Sequence, residues 1–265
     1  MSWSRKYEGD EPVRVNKWLA QSGVCSRREA EGLIAEGRVS IDGALVEDVG
    51  RKILPGQTLA LDEAGKEALD TKLTVLIHKP VGIVSAQPEG DQVPAVRLLR
   101  RSNLFVEAEV YPNSDHKLAP LGRLDMDSRG LLILSEDGVL AKAVIGPDSE
   151  LDKEYFVQVE GDITAEKIDL LRHGLELDGR TLRPAVVEEV MPGRLRFVLV
   201  EGRNRQIRRM CELVELEVVD LVRTRVGPIE LADLPEGMWR PMTAEERAGL
   251  LAASVPRPPV PSSRP

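Results

Sequence analysis

Residues 122–135 read Gly-Arg-Leu-Asp-Met-Asp-Ser-Arg-Gly-Leu-Leu-Ile-Leu-Ser, a charged turn that runs directly into an apolar segment. The uninterrupted apolar run Leu131–Leu134 predicts a buried strand. Asp125 lies just before this strand, with Arg123 and Arg129 close by in sequence. Because an unpaired carboxylate beside a buried strand is costly to desolvate, Asp125 needs either a partner charge or a chemical task.

The composition of the 265-residue chain is that of an ordinary globular protein, with 42% hydrophobic and 30% charged residues. Its net charge of −8 argues against a uniformly basic nucleic-acid binder. Phosphate binding, however, depends on the local density of arginine, and residues 203–209 hold four arginines and no acidic residue. Two cysteines, Cys25 and Cys211, are too few for a disulfide framework or a metal cluster. Without a signal-peptide core or a membrane-length apolar run, we expect a cytoplasmic protein that binds neither membrane nor metal.

The N-terminal part of the chain predicts a small unit of two short helices and a hairpin over residues 12–61. Ser26 and Glu29 have the spacing of a capping box at the start of the second helix. Asp42-Gly43 favours a tight hairpin turn. Residues 1–11 are polar and unpatterned, so we expect a flexible N-terminus. Residues 62–72 are polar and acidic and predict a linker.

Residues 73–252 predict a larger α+β domain, with a mixed, mainly antiparallel sheet flanked by helices. Strand-like and helix-like segments follow one another there without regular alternation. The strand-like segments are Leu73–His78, Tyr155–Val159 and Leu195–Val200, and the helix-like segments are Ala165–His173, Arg205–Leu213 and Ala244–Ala252. Residues 253–265 are rich in proline and predict a disordered tail.

Three motifs resemble, in the same order, those of the RsuA-type family of RNA pseudouridine synthases. They are Gly-Arg-Leu-Asp at 122–125, Lys-Glu-Tyr at 153–155 and Asn-Arg-Gln-Ile-Arg-Arg at 204–209. The run Arg-Val-Asn-Lys-Trp-Leu-Ala at 14–20 resembles the small RNA-binding domain shared by a ribosomal protein and the bacterial tyrosyl-tRNA synthetases. Around the first and third motifs the residues are most similar to the RluF-like members, which act on large-subunit ribosomal RNA.

The resemblance implies an enzyme that isomerises uridine in RNA to pseudouridine and needs no cofactor. It implies that Asp125 is the catalytic carboxylate, that Tyr155 stacks on the uracil and that Arg208 pairs with Asp125. It further implies that Ile207 packs under the target base and that Arg123 fills the place the flipped base leaves. The structural alternatives are a turn carboxylate for Asp125 and a core residue for Tyr155.

Basic side chains outside the central motif predict contacts with the RNA backbone. The alternative is an ordinary solvated surface, since residues 1–61 hold nine basic and nine acidic side chains. The candidate RNA contacts are Arg14, Lys17, Arg27, Arg28, Arg203, Arg205 and Arg209.

The sequence therefore predicts a monomeric RNA pseudouridine synthase that modifies ribosomal RNA of the large subunit. Alternatives within the same enzyme class are small-subunit ribosomal RNA and transfer RNA as substrates. Alternatives outside it are a non-catalytic RNA-binding or ribosome-assembly factor and a glycosidase-like enzyme that releases a base. The joint presence of Asp125, Tyr155 and Arg208 argues against a non-catalytic factor. A single candidate carboxylate argues against ordinary glycoside hydrolysis, which uses a pair.

Overall fold

A computed structural model describes residues 2–113 and 115–254 of the chain. These residues divide into two compact units. The first comprises the described residues up to Thr74 together with Ser135–Lys142, and the second comprises Val75–Leu134 and the described residues from Ala143 onward. Of the segment 253–265, for which the sequence predicts disorder, residues 255–265 lie outside the described part of the chain.

The first unit contains the predicted pair of short helices and the predicted hairpin. Its elements are β1 (Trp3–Lys6), β2 (Val13–Arg14), α1 (Val15–Gln21), α2 (Arg27–Ala35), β3 (Val39–Ile41), β4 (Ala44–Leu45), β5 (Lys52–Ile53), β6 (Thr58–Leu61) and α3 (Glu63–Asp70). The capping box is confirmed, because Ser26 Oγ accepts a hydrogen bond from the Glu29 amide and Glu29 Oε2 accepts one from the Ser26 amide. The hairpin turn is also confirmed, with Asp42 and Gly43 both at positive φ between β3 and β4.

The expectation of a flexible N-terminus is wrong for residues 3–6. Strand β1 pairs antiparallel with β6, from Trp3 opposite Leu61 to Lys6 opposite Thr58. The ring centroid of Trp3 lies 5.9 Å from that of Trp18, and aromatic pairs at such distances add to the stability gained by burial. Residues 3–6 show no strand pattern of their own, and the strand with which they pair, β6, is distant in sequence. The pairing could therefore not be predicted from this segment.

The segment 62–72, which the sequence predicts as a linker, contains a helix and belongs to the first compact unit. Helix α3 occupies most of this segment. Asp62 serves as its N-cap and accepts a hydrogen bond from the Gly65 amide at 2.7 Å. An aspartate at this position satisfies one of the free amides of the first turn, which explains why an acidic segment forms a helix.

The second unit is a mixed sheet with helices, as the sequence predicts. Its strands are β7 (Thr74–Lys79), β8 (Ile83–Val84), β9 (Val93–Pro94), β10 (Ala119–Pro120), β11 (Arg129–Ser135), β12 (Lys153–Glu160), β13 (Glu176–Leu177), β14 (Arg180–Thr181), β15 (Val186–Met191), β16 (Arg194–Leu199), β17 (Glu217–Val226), β18 (Ile229–Glu230) and β19 (Trp239–Pro241). Its helices are α4 (Gly138–Ile145, which begins among residues of the first unit), α5 (Ala165–Arg172), α6 (Gln206–Leu213) and α7 (Ala244–Ala253), with short 3₁₀ turns at Ala95–Leu98 and Arg101–Asn103.

The main sheet has the strand order β15-β16-β12-β17-β11-β7-β19, with β10 beside β11 and β18 beside β17. Strand β12 pairs antiparallel with both of its neighbours, whereas β11 pairs parallel with β17. A core of apolar side chains, among them Val157, Phe197 and Cys211, joins β12 and β16 to α6. Within the described residues, no helix combines the length and the apolar character needed to cross a bilayer.

Two close contacts join segments of this unit that are distant in sequence. Strand β11 approaches β17 at Gly130, where φ is +112° and an added Cβ would lie 2.3 Å from the Arg223 carbonyl oxygen. Trp239 is fully buried, and its Nε1 donates a hydrogen bond to the Arg100 carbonyl oxygen at 2.8 Å.

Candidate active site

The turn that carries Asp125 is held in place by hydrogen bonds on both sides. The Ser85 hydroxyl accepts a hydrogen bond from the Leu124 amide at 2.8 Å and donates one to the Leu124 carbonyl oxygen at 2.7 Å. The Ser128 amide donates to the Asp125 carbonyl oxygen at 3.1 Å. The Asp125 side chain remains 35% exposed. Its carboxylate is therefore anchored through the backbone and accessible at the same time.

One cavity of about 740 Å³ brings together all five residues predicted for catalysis and the base pocket, and Arg203 and Arg205 line it as well. The turn before β11 contributes Asp125 and Arg123, strand β12 contributes Tyr155, and helix α6 contributes Ile207 and Arg208. Ile207 is buried in the apolar core, and Tyr155 packs against the same core. A carboxylate, an aromatic ring and an apolar side chain thus share a space large enough for a planar base.

The arginines of the third motif surround the Asp125 turn in an arrangement that differs from the expected one. Arg205 forms a two-pronged hydrogen-bonded pair with Asp127, at 3.1 and 2.9 Å, and its Nη1 lies 3.9 Å from Asp125 Oδ2. Arg208 donates from Nη2 to the Asp127 carbonyl oxygen at 2.7 Å, and its Nε lies 3.3 Å from Asp127 Oδ2. Arg208 Nη1 donates to the Val218 carbonyl oxygen at 3.1 Å.

The expected pairing of Arg208 with Asp125 is therefore wrong: among the described residues, the arginine nearest to the Asp125 carboxylate is Arg205. The physical reason is that the donors of Arg208 face the next carboxylate along the turn and two backbone carbonyls. Arg205 reaches the turn because its backbone is left-handed, with φ 48° and ψ 34°, at the residue that precedes α6. Such a conformation is uncommon outside glycine and often marks functional segments.

Asp127 is the structural member of this turn. Burial alone would raise the pKa of its carboxyl group, but the hydrogen bond from Arg205 and the charges of Arg208 and Arg205 hold that pKa below its ordinary value. Asp127 is therefore ionised at neutral pH. It joins the turn before β11 to the start of α6, and this link fixes where Asp125 stands.

Arg203 and Arg209, which are also predicted to contact phosphate, make internal contacts. Arg203 donates to three carbonyl oxygens at the β13–β14 hairpin, those of Leu177, Arg180 and Thr181, at 2.9 to 3.2 Å. Arg209 forms a two-pronged pair with Asp178 at 2.9 and 2.7 Å. Three hydrogen bonds thus hold Arg203 against this hairpin, and the contact of Arg203 with RNA stays a prediction.

The four basic residues predicted to bind RNA in the first unit are all exposed. Within residues 2–113 and 115–254, none of these four forms an ion pair. Arg14 precedes α1, Lys17 lies within it, and Arg27 and Arg28 begin α2. Their charges are available to a polyanion, and their contact with RNA stays a prediction.

Three buried cations near the site were not predicted as functional residues. Arg223 on β17 is 1% exposed and donates to the carbonyl oxygens of Leu131, Gly122 and Arg123. Lys153 on β12 is 8% exposed, and Arg223 and Lys153 both line the cavity. The sequence does carry a signal for Arg223: alternation along β17 places it on the same side as the buried Leu221, where an arginine needs a reason.

The third buried cation, Lys79, belongs to the Lys-Pro-Val-Gly segment at the end of β7. Its Nζ donates to the carbonyl oxygens of Pro80 and Ile83 at 2.8 and 2.7 Å. Burial lowers the pKa of Lys79 to about 8, although the negative charges of Asp127 and Asp125 oppose the shift. These contacts fit a residue that shapes the wall beside the turn.

The mixed sheet gathers a carboxylate, a tyrosine and several arginines around one cavity. With the small helix-hairpin unit, this defines an enzyme that acts on a polyanionic substrate. Comparison with known proteins specifies the reaction. Residues 73–213 match the family described as RNA pseudouridylate synthase, and residues 13–59 match the S4 domain. The chain belongs to the RNA pseudouridine synthase family, in its RsuA-type branch, and is an isomerase that acts on RNA.

Relatives agree with this assignment, and a solved structure shares the fold. The chain is 36% identical over 239 residues to the dual-specificity RNA pseudouridine synthase RluF of Escherichia coli K12, covering 89% of this chain and 78% of that one. It is 36% identical to an uncharacterized RNA pseudouridine synthase of Mycobacterium leprae, covering 92% of this chain and 94% of that one. A crystal structure of a pseudouridylate synthase shares the fold, with a TM-score of 0.61, 24% identity, and coverage of 90% and 99% of the two chains.

Proposed function

We propose that Asp125 is the catalytic carboxylate of this synthase and that the substrate is a uridine in large-subunit ribosomal RNA. The reaction breaks the bond between ribose C1′ and uracil N1 and forms a bond between C1′ and C5. It needs a group that acts at the sugar and a surface that holds the detached base. The observation that carries the proposal is the single cavity lined by Asp125, Tyr155 and Ile207.

The contacts around the turn suggest how the arginines contribute. Arg205, whose Nη1 lies 3.9 Å from Asp125 Oδ2, supplies a positive charge beside this carboxylate. Arg208 acts as a positioning residue, because it holds the Asp127 carbonyl group and thereby the turn. Arg123 is exposed at the edge of the cavity, where it can occupy the gap left by the flipped nucleotide.

The choice of ribosomal RNA of the large subunit rests on the motif residues shared with RluF-like members and on the overall likeness to RluF. The exposed basic residues on α1 and α2 support a role for the first unit in holding folded RNA through its backbone. Ribosome biogenesis, a cytoplasmic location and a monomeric state stay predictions of the same proposal.

The catalytic assignment is tested by Asp125→Asn, with Asp127→Asn as the control in the same turn. Purified enzyme is incubated with a ribosomal RNA transcript, and its nucleosides are separated by chromatography and mass spectrometry. Pseudouridine has the mass of uridine, so isomerisation is distinguished from base release. We expect no product from Asp125→Asn, unchanged RNA binding, and reduced but measurable product from Asp127→Asn. Wild-type turnover in Asp125→Asn, or equal loss in both variants, would remove the special role of Asp125.

The substrate assignment is tested by mapping pseudouridines in RNA from cells with and without this protein. We expect a site in large-subunit ribosomal RNA to be lost with the protein. A loss confined to transfer RNA or to small-subunit RNA would overturn this assignment and leave the enzyme class intact.

The role of the first unit is tested by measuring RNA affinity as a function of salt. Each phosphate contact removed should reduce the slope of log K against log salt by about 0.7 to 0.9. We expect this for Lys17→Gln and Arg28→Gln. Arg38→Gln is the matched control, because Arg38 pairs with Asp62 within the same unit. Equal slopes for all three variants and the wild type would show that α1 and α2 do not bind the backbone.

A further inference from the structure

Two buried cations, Lys153 and Arg223, lie in the wall of the cavity, and no carboxylate among the described residues forms a salt bridge with either. They are 8% and 1% exposed. In the part of the chain that the structure describes, their hydrogen bonds run to backbone carbonyls, with Lys153 Nζ donating to Leu151 at 3.1 Å. Most buried charges in proteins are paired with an opposite charge, because desolvation is otherwise uncompensated. This pair of positive charges is therefore an exception that calls for an anionic partner.

The sheet places both cations beside the tyrosine expected to stack on the base. Strands β12 and β17 are antiparallel neighbours, with Tyr155 opposite Arg223 and Lys153 opposite Val226. Lys153 and Tyr155 are two residues apart on β12, so they point to the same side of the sheet, and both line the cavity. Any base that stacks on Tyr155 therefore lies close to two positive charges.

Both side chains have more N–H donors than the hydrogen bonds that they form within the described residues. An ammonium group offers three N–H donors and a guanidinium offers five. Lys153 uses one of them on Leu151, and Arg223 uses three on Leu131, Gly122 and Arg123. The contacts of Arg223 also join it to the Gly122–Arg123 backbone just before Asp125. The Arg223 guanidinium thus connects the turn that carries Asp125 with the wall of the cavity.

We propose that the Lys153 ammonium and the Arg223 guanidinium form an anion-binding floor that receives the negative charge of uracil when it separates from the ribose. This inference rests on the proposed role of the cavity. When the C1′–N1 bond breaks, its electron pair stays on uracil and spreads over N1, O2 and O4. Bond formation from C5 to C1′ uses an electron pair of the same ring, after which C5 loses its proton and N1 gains one. The pair of cations stabilises the intermediate without entering the covalent steps.

The test compares Lys153→Met, which keeps the length of the side chain and removes its charge, with Lys153→Arg, which keeps the charge. Removing one preorganised donor to a developing anion lowers rates by about 100-fold or more. We expect a loss of that size in the single-turnover rate of Lys153→Met at saturating RNA, with unchanged affinity for RNA. Lys153→Arg should recover most of the rate.

The pH profile provides a readout that a purely structural lysine would not change. Burial, and after it the charge of Arg223, lowers the pKa of Lys153 to about 8, although Asp152, which pairs with Arg225, opposes the shift. The neighbouring strands add apolar Leu199 and Val226. Because the protonated form is the active one, the wild-type rate should fall as the pH rises through about 8. In Lys153→Arg this decline should disappear.

The outcomes separate this inference from the proposal on which it rests. An inactive Asp125→Asn together with a fully active Lys153→Met overturns the anion-binding floor alone. An active Asp125→Asn overturns the proposed function itself. If Lys153→Met does not fold, the Lys153→Arg profile decides, since a decline at the same pH as in the wild type would exclude the lysine as its cause.

Discussion

Gly130→Ala tests the closest approach between strands in the catalytic sheet. Gly130 has φ +112°, and an added Cβ would lie 2.3 Å from the Arg223 carbonyl oxygen and 2.6 Å from its amide nitrogen. Placing alanine in this backbone conformation costs about 1–3 kcal/mol. Relieving the overlap requires β11 and β17 to separate, which adds about 1–3 kcal/mol, as for other overpacked sites. The variant should therefore lose about 2–6 kcal/mol of its free energy of unfolding.

Urea denaturation followed by circular dichroism measures this loss, and the midpoint of thermal unfolding should fall by roughly 5–20 °C. Activity should decrease as well, because Arg223 holds the carbonyl groups of Gly122 and Arg123 next to the turn that carries Asp125, the proposed catalytic residue.

Gly174→Ala is the matched control within the same unit. Gly174 also has positive φ, at +101°, but no atom lies within 4 Å of its added Cβ. It should therefore show the conformational cost alone. If the two variants lose the same free energy within about 0.5 kcal/mol, the clash between β11 and β17 has no energetic consequence and the reasoning is refuted.

Three further predictions concern stability and reactivity. Arg203→Gln should lower the free energy of unfolding by about 0.5–1.5 kcal/mol, because it removes hydrogen bonds to the Leu177 and Thr181 carbonyl groups, only the first of which is partly buried. It should leave the salt dependence of RNA binding unchanged; a reduced salt slope would instead show a phosphate contact. The free energy of unfolding should rise by about 1 kcal/mol for each of Lys79 and Lys153 between pH 8 and 9. The folded-state pKa of these lysines lies below the unfolded value, so over this window the unfolded chain keeps protons that the folded chain has lost. Urea titrations at several pH values measure the effect, and in Lys79→Met the free energy of unfolding should rise by about 1 kcal/mol less than in the wild type. Cys25 and Cys211, whose pKa burial raises to about 12, should resist iodoacetamide in the folded protein and react after denaturation; rapid labelling of the folded protein would contradict their burial.

Local sequence patterns predicted the elements that depend on neighbouring residues. The Ser26–Glu29 capping box and the Asp42-Gly43 turn involve residues within three positions of each other, so the sequence alone determines them. Four strands of the main sheet (β7, β11, β12 and β16) and helix α6 were predicted within a few residues of their observed bounds, because their apolar patterns are strong. Strands β15, β17 and β19 of the same sheet were not predicted. The convergence of Asp125 and Tyr155 on one cavity followed from the motifs rather than from periodicity.

Helix α3 was missed although its N-cap at Asp62 is local, whereas the other errors come from long-range pairing. Strand β1 forms because it pairs antiparallel with β6, and nothing in residues 3–6 indicates this partner strand. The partner of Arg208 could not be chosen from sequence, because Asp125 and Asp127 are only two residues apart in the same turn. Which carboxylate meets which arginine depends on the left-handed backbone at Arg205. Arg223 was missed because its role depends on carbonyl groups contributed by another part of the chain.

The distribution of tryptophan gives each unit its own optical reporter. The chain has three tryptophans. Trp3 and Trp18 lie in contact in the first unit, whereas Trp239 is fully enclosed in the second. In Trp239→Phe, fluorescence would therefore follow the RNA-binding unit alone. A double replacement of Trp3 and Trp18 would follow the catalytic unit, so the order in which the two units melt could be observed in the intact chain.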